Sequence, residues 1–209
     1  MLPITERVKT VFHAPEMASL NMGLLNFFIR GEQVFFPNHR SDIEHFAHEM
    51  VARGVKPEFE VYNAVMLEEV AYIMGLDIFA PPYAVNFVLH TPTQGGSRGT
   101  PHNLMDMVNR LRDLPVPQDQ LRVTVSSMGR TQLPITAIGL AMGLNVRIGL
   151  EDNVYYRYGE LVTDNAQLVE RTVRIAGELE RRPATPDEAS VLLGLRGREA
   201  GKLPDITSP

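Results

Sequence analysis

Arg147, Glu151 and Asp152 lie within one ten-residue stretch, Leu144-Asn145-Val146-Arg147-Ile148-Gly149-Leu150-Glu151-Asp152-Asn153. A guanidinium beside carboxylates can hold an anion and move protons. Successive side chains of a β-strand point to opposite faces. A strand over 144–151 therefore places Val146, Ile148 and Leu150 on one side and Arg147, Gly149 and Glu151 on the other. The guanidinium and the carboxylate then share a face, separated by a residue with no side chain, and Asp152 follows where the strand ends. In parallel α/β proteins the reactive groups collect at the C-terminal ends of strands. Spacing alone leaves two readings open: such a site, or an ordinary ion pair on a half-solvated strand.

The elements that must position these residues alternate along the chain. Residues 16–22 read as a short strand and 33–36 as a second extended piece closed by Pro37. Ser41-Asp42-Ile43-Glu44 has the spacing of a capping box. The helix behind it carries an apolar stripe of Ile43, Phe46, Ala47, Met50 and Val51 and stops at Gly54. Glu58–Tyr62 alternates, with Glu58, Glu60 and Tyr62 on one side, and a helix over 64–74 follows. Tyr83–Leu89 is a nearly continuous apolar run, the pattern of a strand covered on both faces.

Thr93-Gln94-Gly95-Gly96-Ser97-Arg98-Gly99 forms a glycine-rich loop, and Thr100-Pro101 opens a helix that buries Leu104, Met107, Val108 and Leu111. Leu121–Ser126 reads as a strand, and Pro134 sits in the first turn of the next helix. Beyond the 144–151 strand, 164–179 reads as a long amphipathic helix carrying Leu168, Val169, Thr172, Val173, Ile175, Ala176 and Leu179. Thr185-Pro186-Asp187-Glu188 is a second capping box, opening a short helix through Leu193, and the polar tail over 196–209 is expected to be loose.

Five strand–helix units imply a parallel α/β sheet with right-handed crossovers. Four of the five strands carry polar residues on one face: Ser19 and Asn21, Glu58 and Glu60, Thr124 and Ser126, Arg147 and Glu151. A strand between two helix layers would be apolar on both faces, so the pattern favours a barrel interior over a doubly wound sheet. A complete eight-unit barrel takes roughly 250 residues. The 209 residues here, with about a quarter beyond the last strand, suit five units of one.

The totals narrow the function classes. With 20 basic and 25 acidic residues the net charge is −5, which argues against a broad nucleic-acid surface yet leaves room for a local basic pocket that takes a phosphate. Cysteine is absent, which removes disulfides, thiolate metal sites and cysteine nucleophiles and fits a cytoplasmic protein. The first residues lack the apolar core of a secretion signal, and no apolar run reaches the roughly 20 residues that cross a bilayer. A soluble protein with no membrane partner is expected.

Val146-Arg147-Ile148-Gly149-Leu150-Glu151-Asp152-Asn153, followed by Gly159-Glu160-Leu161 and Asn165-Ala166-Gln167-Leu168-Val169, resembles the C-terminal signature of the β-keto acid cleavage enzymes. Further similar stretches, in the family's order, are 15–21, 56–61, 129–134 and 184–189. The resemblance implies a (β/α)8 TIM barrel, of which residues 1–195 would be an incomplete barrel corresponding to strands four to eight plus the C-terminal helices.

It further implies condensation of a β-keto acid with acetyl-CoA and cleavage to acetoacetate and a new acyl-CoA. Such chemistry needs a stabilised enolate, which a divalent metal on the keto oxygen provides. By the same resemblance Glu151 matches a carboxylate ligand of zinc, or another divalent metal. Asp152 matches the group associated with proton removal, and Arg147 the arginine that works with it and can hold a substrate carboxylate. Glu60 is the further acidic residue chosen for the site, with Glu58 its rival, and Ser19 and Asn21 would flank the substrate. Asn63 stands where the family has aspartate and His90 where it usually has glycine. The family's His-x-His zinc pair comes from early strands, and none of the six histidines here forms that motif.

Other candidates carry plainer readings. His39, His45 and His48 are close in sequence, but their acidic neighbours Glu44 and Glu49 favour a solvated helix face over a metal site. The 95–99 loop could cradle a CoA phosphate through backbone N–H groups or serve as a mobile barrel loop. Met66, Met74, Met105 and Met107 read as core packing. Two functions therefore stand: a β-keto acid cleavage enzyme or its C-terminal portion, and a non-catalytic barrel fragment or subunit that needs an N-terminal partner. Open sheet edges in either case predict a homo-oligomer.

Overall fold

The computed structural model describes residues 2–195, and the expectation of a loose tail over 196–209 lies outside them. The chain opens with α1 (Ile4–Arg7) and a 3-10 segment (Val8–His13), neither of which has a strong sequence signal. It then builds a five-stranded sheet from β1 (Met17–Asn21), β4 (Lys56–Val61), β5 (Tyr83–Leu89), β7 (Leu121–Ser127) and β8 (Asn145–Val146). All neighbours are parallel and follow one another in chain order, as the strand–helix alternation predicts. Between β1 and β4 the chain adds the hairpin β2 (Leu24–Ile29) and β3 (Glu32–Pro37), extended by β6 (Thr93–Gln94) into a three-stranded antiparallel sheet. The sequence reading found β3 but missed β2, whose Leu-Leu-Asn-Phe-Phe-Ile run does not alternate.

Register explains why one face is greasy and the other polar. Leu20, Phe59, Val85, Phe87 and Val125 join a single buried core with Ile43, Phe46 and Met50 of α2 (Arg40–Ala52), Val70 and Ile73 of α3 (Leu67–Gly75), Leu104 and Met107 of α4 (Pro101–Arg110) and Ile135 of α5 (Gln132–Ala141). The opposite face carries a lateral row of paired residues, Asn21, Glu60, Asn86, Thr124 and Asn145. A short antiparallel pair, β9 (Tyr155–Arg157) and β10 (Glu160–Leu161), precedes α6 (Asn165–Glu178), which contacts α5. The last helix, α7 (Pro186–Leu193), lies across the N-terminal ends of the strands, where Leu192 accepts a hydrogen bond from Arg122 Nε at 3.0 Å.

Local signals held where a side chain could close its own cap. Thr100 accepts from Asn103 N, Asp164 accepts from Gln167 N, and Thr185 and Glu188 form the full reciprocal capping box. The box expected at Ser41 is absent: α2 starts at Arg40, His39 occupies the N-cap with no side-chain bond, and Ser41 lies inside the helix. Met105, expected in the core, is 45% exposed, whereas Met66, Met74 and Met107 are buried. On α6 only Leu168 and Ala176 are buried; Val169 and Val173 stay exposed, as does Leu179 at the C-cap.

The strand expected over 144–151 is also shorter. Its ladder ends at Val146, with Arg147 N still bonded to Val125 O at 3.0 Å. Beyond that, Gly149 O accepts from the amides of Asp152 and Asn153, so the backbone turns instead of extending.

Candidate active site

That turn places the acidic residues. Glycine at 149 and the Asp152-Asn153 pair are turn formers, and neighbours from three elements fix the loop. Gly129 N donates to Asp152 O at 2.7 Å, buried Gln132 donates to Gly149 O at 3.3 Å, and Asn165 Oδ1 accepts from Leu150 N at 2.9 Å. α5 can lie close to β7 and β8 because Gly139 has no side chain; a Cβ there would sit 2.5 Å from Val125 Cγ1.

Arg147 is the centre of the resulting cluster. Its Nη1 donates to Glu60 Oε1 at 3.0 Å, and its Nη2 donates to Glu151 Oε2 and to Asp152 Oδ1, both at 3.0 Å. Its Nε donates to Asp152 Oδ2 at 3.2 Å, completing a bidentate grip. The side chain of Asp152 is 1% exposed and that of Glu60 12%, whereas Glu151 is 81% exposed. The expected company of Arg147 and Glu151 is therefore real, but the i,i+4 turn makes it, not strand alternation. Glu60 is the acid that reaches Arg147, and its rival Glu58 lies one row toward the N-terminal end of the sheet, beside Ser19.

Electrostatics here is dominated by burial. Burial pushes the Glu60 and Asp152 carboxyls above the ordinary carboxylate value against the pull of Arg147, and Glu58 is raised for the same reason. Burial works against the Arg147 charge, but Asp152 and Glu60 outweigh it and raise that group. Tyr62 donates to Glu60 Oε2 at 3.3 Å, and burial followed by the Glu60 charge raises its phenol strongly. Carboxyls that hold protons above their usual range, beside a guanidinium, can shuttle a proton and bind an anion at one point.

The other sequence candidates separate. Asn21 joins the row of Glu60, and its Oδ1 is buried without a hydrogen-bond partner; Ser19 is exposed. Asn63 caps the turn before α3 and donates to Gly95 O at 3.0 Å. His90 adopts φ +58°, a conformation that favours glycine, and its Nδ1 accepts from Gly99 N at 3.4 Å, which is a structural role. His39, His45 and His48 are exposed, and no group of three or more His, Asp or Glu suited to a metal occurs among the described residues. Tyr62 and Asn86 were missed as site residues. Tyr62 had a signal in its shared face with Glu60, and Asn86 had one as the lone polar residue in an apolar strand.

The acid–arginine cluster, fed by β4 and by the turn after β8, lies at the C-terminal ends of parallel strands, where open α/β sheets bind their ligands. A sequence model of the family described as beta-keto acid cleavage enzyme matches residues 1–195, and the chain belongs to that family. It is 38% identical over 190 residues to the 3-keto-5-aminohexanoate cleavage enzyme of Acetoanaerobium sticklandii, covering 91% of this chain and 66% of that protein. The enzyme of the same name from Fusobacterium nucleatum is 36% identical, with 91% and 65% covered. A 3,5-dioxohexanoate:acetyl-CoA acetone transferase from Paraburkholderia graminis is 30% identical, with 94% and 69% covered. The chain thus spans about two thirds of the length of the curated relatives it matches. Among solved structures, apo ObcA superposes with a TM-score of 0.69 at 18% identity, over 87% of this chain and 44% of that one.

Proposed function

We propose that the chain carries the acid–arginine half of a site that condenses a β-keto acid with acetyl-CoA and cleaves the product to acetoacetate and a new acyl-CoA. The observation that carries this reading is the convergence of Glu60, Glu151 and Asp152 on Arg147. In this scheme Arg147 orients Asp152 and Glu60, and offers the substrate carboxylate the one Nη1 N–H that these acids leave unused. Asp152 takes the proton from the carbon between the keto and carboxyl groups, and that carbon attacks the thioester carbonyl and expels the coenzyme A thiolate. The thiolate then attacks the original keto carbonyl, the bond from that carbonyl to the former nucleophilic carbon breaks, and acetoacetate and the new acyl-CoA result. Glu60, anchored by Tyr62 and Arg147, holds a proton for the returning step, and Asn21 offers its unsatisfied buried oxygen to the substrate from β1. Ser19 flanks the substrate one row below.

A zinc ion would supply Lewis-acid stabilisation of the enolate. Glu151, exposed at the mouth, suits one ligand position, but a catalytic zinc takes three protein ligands. The described residues do not assemble that set, so they do not by themselves fit the metal.

The five strands are read as strands four to eight of a (β/α)8 barrel whose remaining units lie outside these 209 residues. The polar sheet face and the exposed Val169 and Val173 of α6, with Leu179 at its C-cap, support this, since both suit coverage by further chain. Self-association is proposed for the same reason and from the exposed Phe28, Ile29 and Phe35 of the hairpin. The same observations favour a second reading, a subunit that acts only with an N-terminal partner. The test is acyl-CoA and acetoacetate formation over a panel of β-keto acids. It is run with the chain alone and mixed with the N-terminal third of the Acetoanaerobium sticklandii relative, with zinc. Slow turnover alone, restored on mixing and lost in Arg147→Ala and Asp152→Ala, is the expected outcome. No acyl-CoA exchange in any mixture refutes the cleavage reading.

A further inference from the structure

One row below Glu60 the polar sheet face carries a second carboxyl, Glu58, that the cleavage scheme leaves idle. Glu58 and Glu60 project from the same side of β4, and residues two apart on a parallel strand lie about 6.6 Å from one another. Glu60 is tied to Arg147 at 3.0 Å and to Tyr62 at 3.3 Å, whereas Glu58 forms no ion pair among the described residues. Its row explains why. Ser19 lies on its β1 side and Ala84, with only a methyl, on its β5 side. Arg122, one strand further, donates instead to Leu192 O at 3.0 Å, and Lys56, two residues earlier on β4, donates to Ala80 O at 3.0 Å. The charged and titratable groups that act on the pair are therefore Arg147, Tyr62 and Glu151; β1 and β5 bring no charged residue to this face.

Asn86 bears on the same pair. It is fully buried in β5, in the row of Glu60, and Ser126 Oγ from β7 donates to its Oδ1 at 3.5 Å. That contact takes the carbonyl end on the β7 side and leaves the amide Nδ2 toward β4, buried and with no hydrogen bond closed. A buried donor without a partner costs stability. An amide N–H can only donate, so it gains more from a carboxylate than from a protonated carboxyl. Burial raises Glu58; Arg147 and then the Asn86 amide pull it back, so Asn86 favours the ionised form. Burial also raises Glu60 against the pull of Arg147, and negative charge on Glu58 raises it further, so Glu60 is the carboxyl that keeps its proton longer.

We propose that Glu58 is a positioning residue that reloads Glu60 with a proton, and that Asn86 Nδ2 holds Glu58 once it has ionised. The proposal rests on the cleavage reading above. When Glu60 has given its proton to the carbon released by bond cleavage, one proton passes from the Glu58 carboxyl through a bridging water to the Glu60 carboxylate. The Glu58 carboxylate left behind accepts the Asn86 N–H. It regains a proton from solvent on the β1 side, where its neighbour Ser19 is exposed.

The test is a carbon-13 NMR titration of the glutamate carboxyls in the 209-residue chain, which needs no carbon–carbon chemistry, joined to turnover in the mixture with the N-terminal third of the relative. Glu58 and Glu60 are expected to titrate as a coupled pair above the ordinary carboxylate range. Glu58→Gln lowers the Glu60 midpoint by removing a like charge, and Glu58→Asp, which keeps a carboxyl, returns part of that shift. Asn86→Leu, or Asn86→Ala where the leucine does not fold, raises the Glu58 midpoint. In turnover Glu58→Gln lowers kcat about tenfold with KM unchanged. That loss grows with pH, because Glu60 then gives up its proton at lower pH. A Glu60 midpoint that ignores Glu58→Gln, or a Glu58 midpoint that ignores loss of the Asn86 amide, overturns the proposal, as does an effect of Glu58→Gln on KM alone. Coupled titration with no cleavage in any mixture sinks the cleavage reading and leaves Glu58 as the group that loads Glu60. Cleavage with an unchanged kcat in Glu58→Gln does the reverse.

Discussion

Arg147→Gln removes the charge that Glu60, Glu151 and Asp152 share. Asp152, with a side chain 1% exposed, loses contacts at 3.0 and 3.2 Å, and Glu60 loses one at 3.0 Å. Breaking a buried ion pair from one side costs about 3–5 kcal/mol, because the remaining charge stays desolvated. Arg147 itself is 29% exposed, so water enters the vacated space and sets the cost near the lower end, about 3 kcal/mol at pH 8. The pH dependence follows from the direction of the shifts. Glu58, Glu60 and Asp152 have raised folded values, so the stability their protons confer is full below the unfolded carboxylate range and is lost as pH rises through those folded values. Without the opposing pull of Arg147 the folded values rise further and the loss extends to higher pH. The deficit of Arg147→Gln against the parent should therefore be largest at pH 8 and shrink toward pH 5. Urea unfolding followed by far-ultraviolet circular dichroism at the two pH values measures it. A deficit below about 1 kcal/mol, or one equal at both pH values, would show that the carboxylates do not depend on this guanidinium.

Three further outcomes are expected. Glu188, held down to about 2 by Arg182 and then by the Thr185 amide, should titrate there by NMR and return toward the ordinary value in Arg182→Gln; an ordinary Glu188 in the parent removes the pair from consideration. Gly139→Ala brings a Cβ to 2.5 Å from Val125 Cγ1; overpacking of about 1–3 kcal/mol exceeds a helix gain of about 1 kcal/mol, so the variant should melt earlier, and a later melt contradicts the close approach of α5. Light scattering should show association of the chain that weakens in Phe28→Ser/Phe35→Ser, and a monodisperse monomer of the parent counts against self-association.

The parallel sheet was legible because strand–helix alternation and one-sided polarity are written at intervals of two and near four residues. The same alternation joined Glu58, Glu60 and Tyr62 on one face, yet it could not say that Glu60 alone of the two acids reaches Arg147. That choice depends on lateral register, which sets Glu60 in the row of Asn21, Asn86, Thr124 and Asn145. The cap at Thr185 was readable because donor and acceptor lie three residues apart. The start of α2 was not, because the helix begins at Arg40 with His39 as its N-cap, which leaves Ser41 inside the first turn.

What the residues determined by themselves was local: where apolar stripes repeat, where glycine and Asp-Asn allow a turn, and that Arg147, Glu151 and Asp152 stay near one another within a few residues of chain. Only the tertiary structure decided that Glu60, 87 positions away, completes the cluster, and that Arg98, Arg130, Arg157 and Arg171 from separate segments face one cavity. Contacts between distant segments are set by how helices and strands pack on the shared core. That packing lies in the summed burial of many side chains and not in the spacing of any few.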